Sequence, residues 1–276
     1  MLARHTLSHP AFTLIEVLVA VSMLTLLIAI LLPALANARR SARTALCLSN
    51  LRQMTVAAQA YTHTYQERYP IAQYMVRKDH LRFHYKWDFT TVADSTTRQY
   101  HTRPGLLWGR SGADQIQQCP EFAGGSNAPG GTTSATGQPT EKYTGYNYNT
   151  SYLGHGQNEN PREAPAKVSE VARPAECAIF GDGEYSSGAN KFMRAPWDDP
   201  DNSGDNFEGR SAGTQGYRHQ GKTNVSFCDG HAVVWAERHT DTYAGEQRNI
   251  APGTGFLSRT NRYYSLGRYP TFTAPE

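Results

Sequence analysis

The sequence predicts an α+β protein: a long N-terminal helix, part of it able to lie in a membrane, packed on a C-terminal antiparallel β-sheet head with long loops. Three observations lead there. Residues 17–32 (VLVAVSMLTLLIAILL) form an apolar run without charge or glycine. Small and apolar residues then continue at three- and four-residue steps to about Thr64. Beyond Tyr69 and Pro70 the chain turns to short β-prone pieces joined by polar, glycine-rich connections.

The apolar run comes first. Extended over residues 12–38, it is long enough for a helix to cross a hydrocarbon core of roughly 30 Å, at about 20 residues per crossing. Only eleven residues precede it, mildly basic through Arg4, His5 and His9. Glu16 interrupts its start, and a carboxylate near a bilayer needs a partner or a purpose. A secretory signal cut after Ala34, Leu35 and Ala36 is one reading, but the run exceeds the usual signal core and the helical pattern continues past that cut. A generic membrane anchor explains the length and leaves Glu16 unexplained. The positive-inside tendency of such an anchor would also keep Arg39, Arg40 and Arg43 cytoplasmic.

The segment Ala11-Phe12-Thr13-Leu14-Ile15-Glu16-Val17-Leu18-Val19-Ala20 resembles the prepilin peptidase recognition segment of type IV pilins and type II secretion pseudopilins. That resemblance implies cleavage between Ala11 and Phe12, N-methylation of Phe12, and Glu16 as the fifth mature residue. The family usually has glycine before the cut; here it is Ala11. Pro33 falls where many members carry a helix-loosening proline, so a break in the helix is expected near it. Glu16 would neutralise the Phe12 amine of a neighbouring subunit, setting the stagger of packed helices more than adding stability. The implied organisation is a leader over 1–11, a pilin-like helix over 12–64 with its membrane span at about 12–36, and an extracytoplasmic head over 65–276. The implied role is a structural filament subunit in the inner (cytoplasmic) membrane, single-pass, with its head periplasmic or extracellular in the filament. Its partners would be prepilin peptidase, other pilin or pseudopilin subunits and the inner-membrane assembly platform.

Past the span, Leu35, Ala38, Ala42, Ala45, Leu46, Met54, Ala57, Ala58 and Tyr61 form the expected stripe against the head. In the head, residues 84–87 and 105–108 are β-prone, 124–138 reads as a flexible loop, 143–152 is strand-like and 177–180 is a buried strand leading to Asp182. The sharpest β signal is residues 224–228, then Asp229-Gly230, then 231–235. Asp-Gly between alternating strands predicts a two-residue type I′ hairpin, pairing Phe227 with Ala232 and Val225 with Val234.

His219, nine residues, then Asp229-Gly230 resembles a signature of many prepilin-like proteins, and Cys47-Leu48-Ser49-Asn50-Leu51-Arg52-Gln53 and Cys119-Pro120 echo the same group. The simplest reading of Asp229-Gly230 is the turn itself. A sharper one is a zinc-type site drawn from His219, Asp229, His231 and Asp182. Asp198, Asp201 and Asp205 offer hard oxygen ligands for calcium in a loop, without EF-hand spacing. No cofactor is required by either reading.

Four cysteines, Cys47, Cys119, Cys177 and Cys228, form no CxxC pair and allow three pairings. With the extracytoplasmic head that the resemblance implies, disulfides Cys47–Cys119 and Cys177–Cys228 are expected. A net charge of +3 with 18% charged residues gives no basic field for nucleic acid. No Ser-His-Asp motif, phosphate loop or HExxH is present, so no enzyme is expected. The alternative role is a membrane-tethered extracytoplasmic binding module for polysaccharide or metal.

Overall fold

The computed structural model describes residues 13–97, 99–108, 118–122, 144–155, 164–186, 190–197, 213–243, 247–248 and 250–267. Helix α1 (Leu14–Thr64) opens on a reciprocal cap. The Thr13 hydroxyl accepts the Glu16 N–H at 3.3 Å, and the Glu16 carboxylate accepts the Thr13 N–H at 2.9 Å. This is the T-x-x-E capping box, which satisfies two orphan donors of the first turn. The expected break near Pro33 is absent, and α1 is helical through it. A proline removes one N–H bond, and the apolar helix formers around it carry the helix past. Gln66 and Glu67 then take left-handed backbone, with the Glu67 N–H bonding the Thr62 carbonyl at 2.9 Å. Pro70 follows, as is common after such an end.

The chain forms two compact units, residues 1–42 and 43–276. In the first, every described residue is exposed, including the whole apolar run. In the second, the buried face of α1 is Cys47, Asn50, Leu51, Met54, Thr55, Ala58 and Thr62. Only Met54 and Ala58 of the predicted stripe are buried, and Leu46 is 52% exposed. The face is rotated because polar residues take inward places. Asn50 donates to the Tyr146 hydroxyl at 3.1 Å, and Thr55 donates to Ser226 at 2.9 Å.

Strands β1 (Gln73–Lys78), β2 (Leu81–Lys86), β3 (Phe89–Asp94) and β4 (Tyr100–Pro104) form an antiparallel meander in that order. Of the two β-prone pieces expected here, residues 84–86 lie in β2, whereas 105–108 lie outside the strands. A second, five-stranded sheet comprises β5 (Tyr146–Asn149), β6 (Ala178–Asp182), β7 (Phe192–Met193), β9 (Thr223–Phe227) and β10 (Ala232–Trp235). Its strand order is β10-β9-β6-β5-β7. Among the described residues, only β5 and β7 pair in parallel. β8 (Gln215–Gly216) and β11 (Thr254–Gly255) form a small third sheet. Leu51, Met54 and Ala58 of α1 share one core with Trp87, Tyr146, Tyr148 and Phe180. Val225 and Phe227 of β9 join a second core with Phe256, Leu257 and Tyr264.

The β9–β10 hairpin corrects the expected register. Ala232 faces Ser226 and Val233 faces Val225. The Phe227 N–H bonds the His231 carbonyl and the Gly230 N–H bonds the Phe227 carbonyl, each at 2.9 Å. The loop is therefore Cys228-Asp229-Gly230, with Gly230 at φ +100° and Asp229 not left-handed. A type I′ turn needs both central residues left-handed; a three-residue loop closed by a left-handed glycine does not. The Gly230→Ala variant isolates that requirement, because an added Cβ meets nothing closer than Gln59 Nε2 at 3.8 Å. It is expected to lose about 1–2 kcal/mol in denaturant unfolding through backbone strain alone. An unchanged midpoint would show that the turn tolerates an L side chain.

Candidate metal centre

Four segments far apart in the chain converge on one buried cluster. Cys47 lies on the inward face of α1, and Cys119 sits in the connection between β4 and β5, its N–H bonded to the Thr144 carbonyl at 2.8 Å. Asp182 ends β6, where the ladder sets it opposite Tyr146. His219 opens a tight turn between β8 and β9. His219 and Lys222 exchange backbone bonds at 3.0 and 3.1 Å across Gln220 (φ 56°) and Gly221 (φ 78°). Two successive left-handed residues are the mark of a type I′ turn, so that turn occurs here and not at Asp229-Gly230.

One ligand atom from each of Cys47, Cys119, Asp182 and His219 lies within 4.8 Å of the other three, and all four residues are buried. Cys47 Sγ is 3.1 Å from Cys119 Sγ. His219 Nε2 is 3.4 Å from Cys119 Sγ and 3.4 Å from Asp182 Oδ2. On the other side of the ring, Nδ1 lies 3.2 Å from the Thr44 hydroxyl. Asp182 Oδ2 also accepts the Asn224 N–H at 2.7 Å.

Arg218 borders the cluster and was not signalled by any sequence motif. Its Nε is 3.4 Å from Cys119 Sγ, and its guanidinium reaches Asp182 at 3.5 Å, Glu184 at 3.0 Å and the Gly145 carbonyl. The electrostatics follow from these contacts. The Cys47 thiol is pushed up, chiefly by donating to Cys119, while the same bond lowers Cys119. Burial opposes a charged His219, but its bonds to Asp182 and Cys119 prevail and raise it to about 9. Two thiols, an imidazole and a carboxylate so placed can hold a thiophilic divalent metal, and the thiols alone can join as a disulfide.

The remaining predicted residues separate. Asp229 and His231 do not join the cluster. Asp229 Oδ1 accepts the His231 N–H at 3.1 Å and lies 2.6 Å from its ring Nδ1, while that ring stacks on Phe227 at 4.5 Å. This pair shapes the hairpin loop. Cys177 and Cys228 are buried neighbours; the Cys177 thiol donates to the Tyr264 carbonyl at 3.6 Å, and the Cys228 N–H meets the Cys177 carbonyl at 2.9 Å. All four cysteines are free thiols. Glu16 and Pro33 lie on the exposed part of α1, and Glu16 has a local partner in Thr13. Ala11, Phe12, Asp198, Asp201 and Asp205 lie outside the described residues.

No protein-family model matches the chain, and no curated protein or solved structure is measurably similar to it. The class therefore rests on the architecture itself: an N-terminal helix long and apolar enough to cross a membrane, followed by a β-rich head.

Proposed function

We propose that the chain is a membrane-anchored structural subunit of pilin or pseudopilin type, matured by prepilin peptidase and N-methylated at Phe12. One observation carries this reading. The apolar run of α1 is exposed throughout, with a single carboxylate at its start. Such a surface is stable only in lipid or against other apolar helices. Glu16 then has two successive partners, Thr13 within the helix and the amine of a neighbouring Phe12 once subunits stack. The filament would be a type IV pilus or a type II secretion pseudopilus, drawn from the inner membrane by its assembly platform, with the head on the periplasmic side.

Mass spectrometry of the membrane-extracted chain is expected to find a methylated Phe12 at the N-terminus. A chain beginning at Asn37 would make it a secreted protein and end the proposal. The Glu16→Ala variant is expected to remain membrane-bound with an unchanged head unfolding transition while filament assembly fails. Filaments of normal yield from that variant would remove Glu16 from assembly.

A tethered binding module is a second reading, favoured by a cleft of about 400 Å³ lined by Tyr61, Tyr65, Tyr69 and Tyr74. Tyr61 and Tyr65 stack at 4.0 Å on its rim, and flat aromatic walls suit sugar faces. Calorimetric titration of the detergent-solubilised chain with oligosaccharides, with and without Tyr65→Ala, tests it. Heats unaffected by the substitution would set this cleft aside.

A further inference from the structure

We infer that Cys47, Cys119, Asp182 and His219 are the four ligands of one structural zinc ion that joins α1 to the head. The inference is independent of the filament reading, since it concerns residues 43–276 alone.

Distance argues first. Zinc takes sulfur ligands at about 2.3 Å and nitrogen or oxygen at about 2.0–2.2 Å, which puts tetrahedral neighbours roughly 3.3–3.8 Å apart. Three edges here are 3.1, 3.4 and 3.4 Å and no pair of ligand atoms exceeds 4.8 Å, so side-chain shifts of about 1 Å would centre an ion.

Orientation argues next. His219 turns Nε2 towards the two nearest ligands and Nδ1 towards Thr44. A neutral imidazole that donates from Nδ1 to the hydroxyl leaves the Nε2 lone pair for a metal, the usual outer-sphere arrangement. Asp182 is likewise held in place, by the Asn224 N–H at Oδ2 and by Arg218 at Oδ1.

Charge argues third. When the metal displaces both thiol protons, two thiolates and one carboxylate gather beside Arg218, whose guanidinium Glu184 also shares. That one guanidinium cannot offset them, and a divalent cation removes most of the excess negative charge in a buried site. A mixed thiolate, imidazole and carboxylate set favours zinc over calcium or magnesium, and four protein ligands mark a structural rather than a catalytic ion. A Cys47–Cys119 disulfide would use two of the four groups and leave His219 and Asp182 paired only with each other, Thr44, Asn224 and Arg218. It would also require a two-electron oxidant, whereas zinc binding releases only protons.

The test uses the full-length chain in detergent, purified without reductant or chelator. Native mass spectrometry is expected to show one zinc per chain, with Cys47 and Cys119 alkylated only after chelation. Exchange for cobalt(II) is expected to give thiolate charge-transfer bands and tetrahedral visible bands, a readout that needs no variant. His219→Gln and Asp182→Asn retain both cysteines and are each expected to weaken zinc by more than the ~10–100-fold typical of an outer-sphere change. His231→Ala, outside the cluster, is expected to bind as the unaltered chain does. A native chain carrying a Cys47–Cys119 disulfide that takes up no zinc after reduction would overturn the site. So would zinc held equally well by His219→Gln and Asp182→Asn.

Discussion

Asp88→Ala is expected to lower folding stability by about 3–5 kcal/mol, the cost of leaving a buried charge without its partner. Asp88 sits in the turn between β2 and β3, fully buried, with Oδ2 2.5 Å from Lys191 Nζ. Its other oxygen accepts the Phe89 N–H at 2.7 Å. Burial lowers the pKa of Lys191, and the Asp88 carboxylate only partly restores it. Without Asp88 that pKa falls further. The folded state then binds fewer protons than the unfolded one between the depressed value and the ordinary lysine value of about 10.4. Stability of the variant should therefore rise with pH across that window. Replacing both residues, as Asp88→Leu with Lys191→Met, is expected to leave stability near that of the parent, because the pair repays little beyond its own desolvation. Equilibrium unfolding of the three chains decides it; equal losses in the single and double variants would show that the pair itself stabilises the fold.

Trp87→Ala is expected to cost a similar 3–5 kcal/mol by opening a cavity at the centre of the larger core. The indole is fully buried, with ring centroids 5.9 Å from Tyr148 and 5.4 Å from Phe180. Its Nε1–H donates to the Lys191 carbonyl at 3.0 Å. Trp87→Phe should recover part of the loss, with the Lys191 carbonyl then keeping only the Tyr148 N–H at 3.0 Å. Trp87 and Asp88 both engage Lys191, so their combined variant should depart from additivity by about 0.5–3 kcal/mol. Additive losses would mean that the two contacts act separately.

Long periodic features were legible in the sequence. The end of α1 at Thr64, the strand leading to Asp182 and the existence of a hairpin around Asp229 all follow from apolar runs and turn residues. The inward face of α1 was not, because Cys47, Asn50, Thr55 and Thr62 are buried through thiol and hydrogen-bond partners that a count of apolar residues ignores. The β1–β4 meander was obscured for a related reason. Its strands are rich in Arg, Lys and His and leave most side chains partly exposed, so the alternation that announces a half-buried strand is weak. Asp229-Gly230 was given the wrong turn because a strong dipeptide preference was read without its backbone angles, while Gln220-Gly221 passed unnoticed. The metal cluster was legible only in halves. Cys47 with Cys119, and His219 with Asp182, were each singled out, but nothing in a linear chain shows that the two pairs share one cavity.

Cys47 is the first buried residue of α1, and this has a mechanical consequence. Any pull delivered along the helix meets the head first at Arg43 and Thr44, which reach Glu121 and His219, and then at Cys47. There the side chain abuts Cys119, which is 72 positions away in the chain and itself in contact with His219 a further 100 positions on. Tension is thus shared among separate segments at the point of entry, which loads contacts far apart in the chain together.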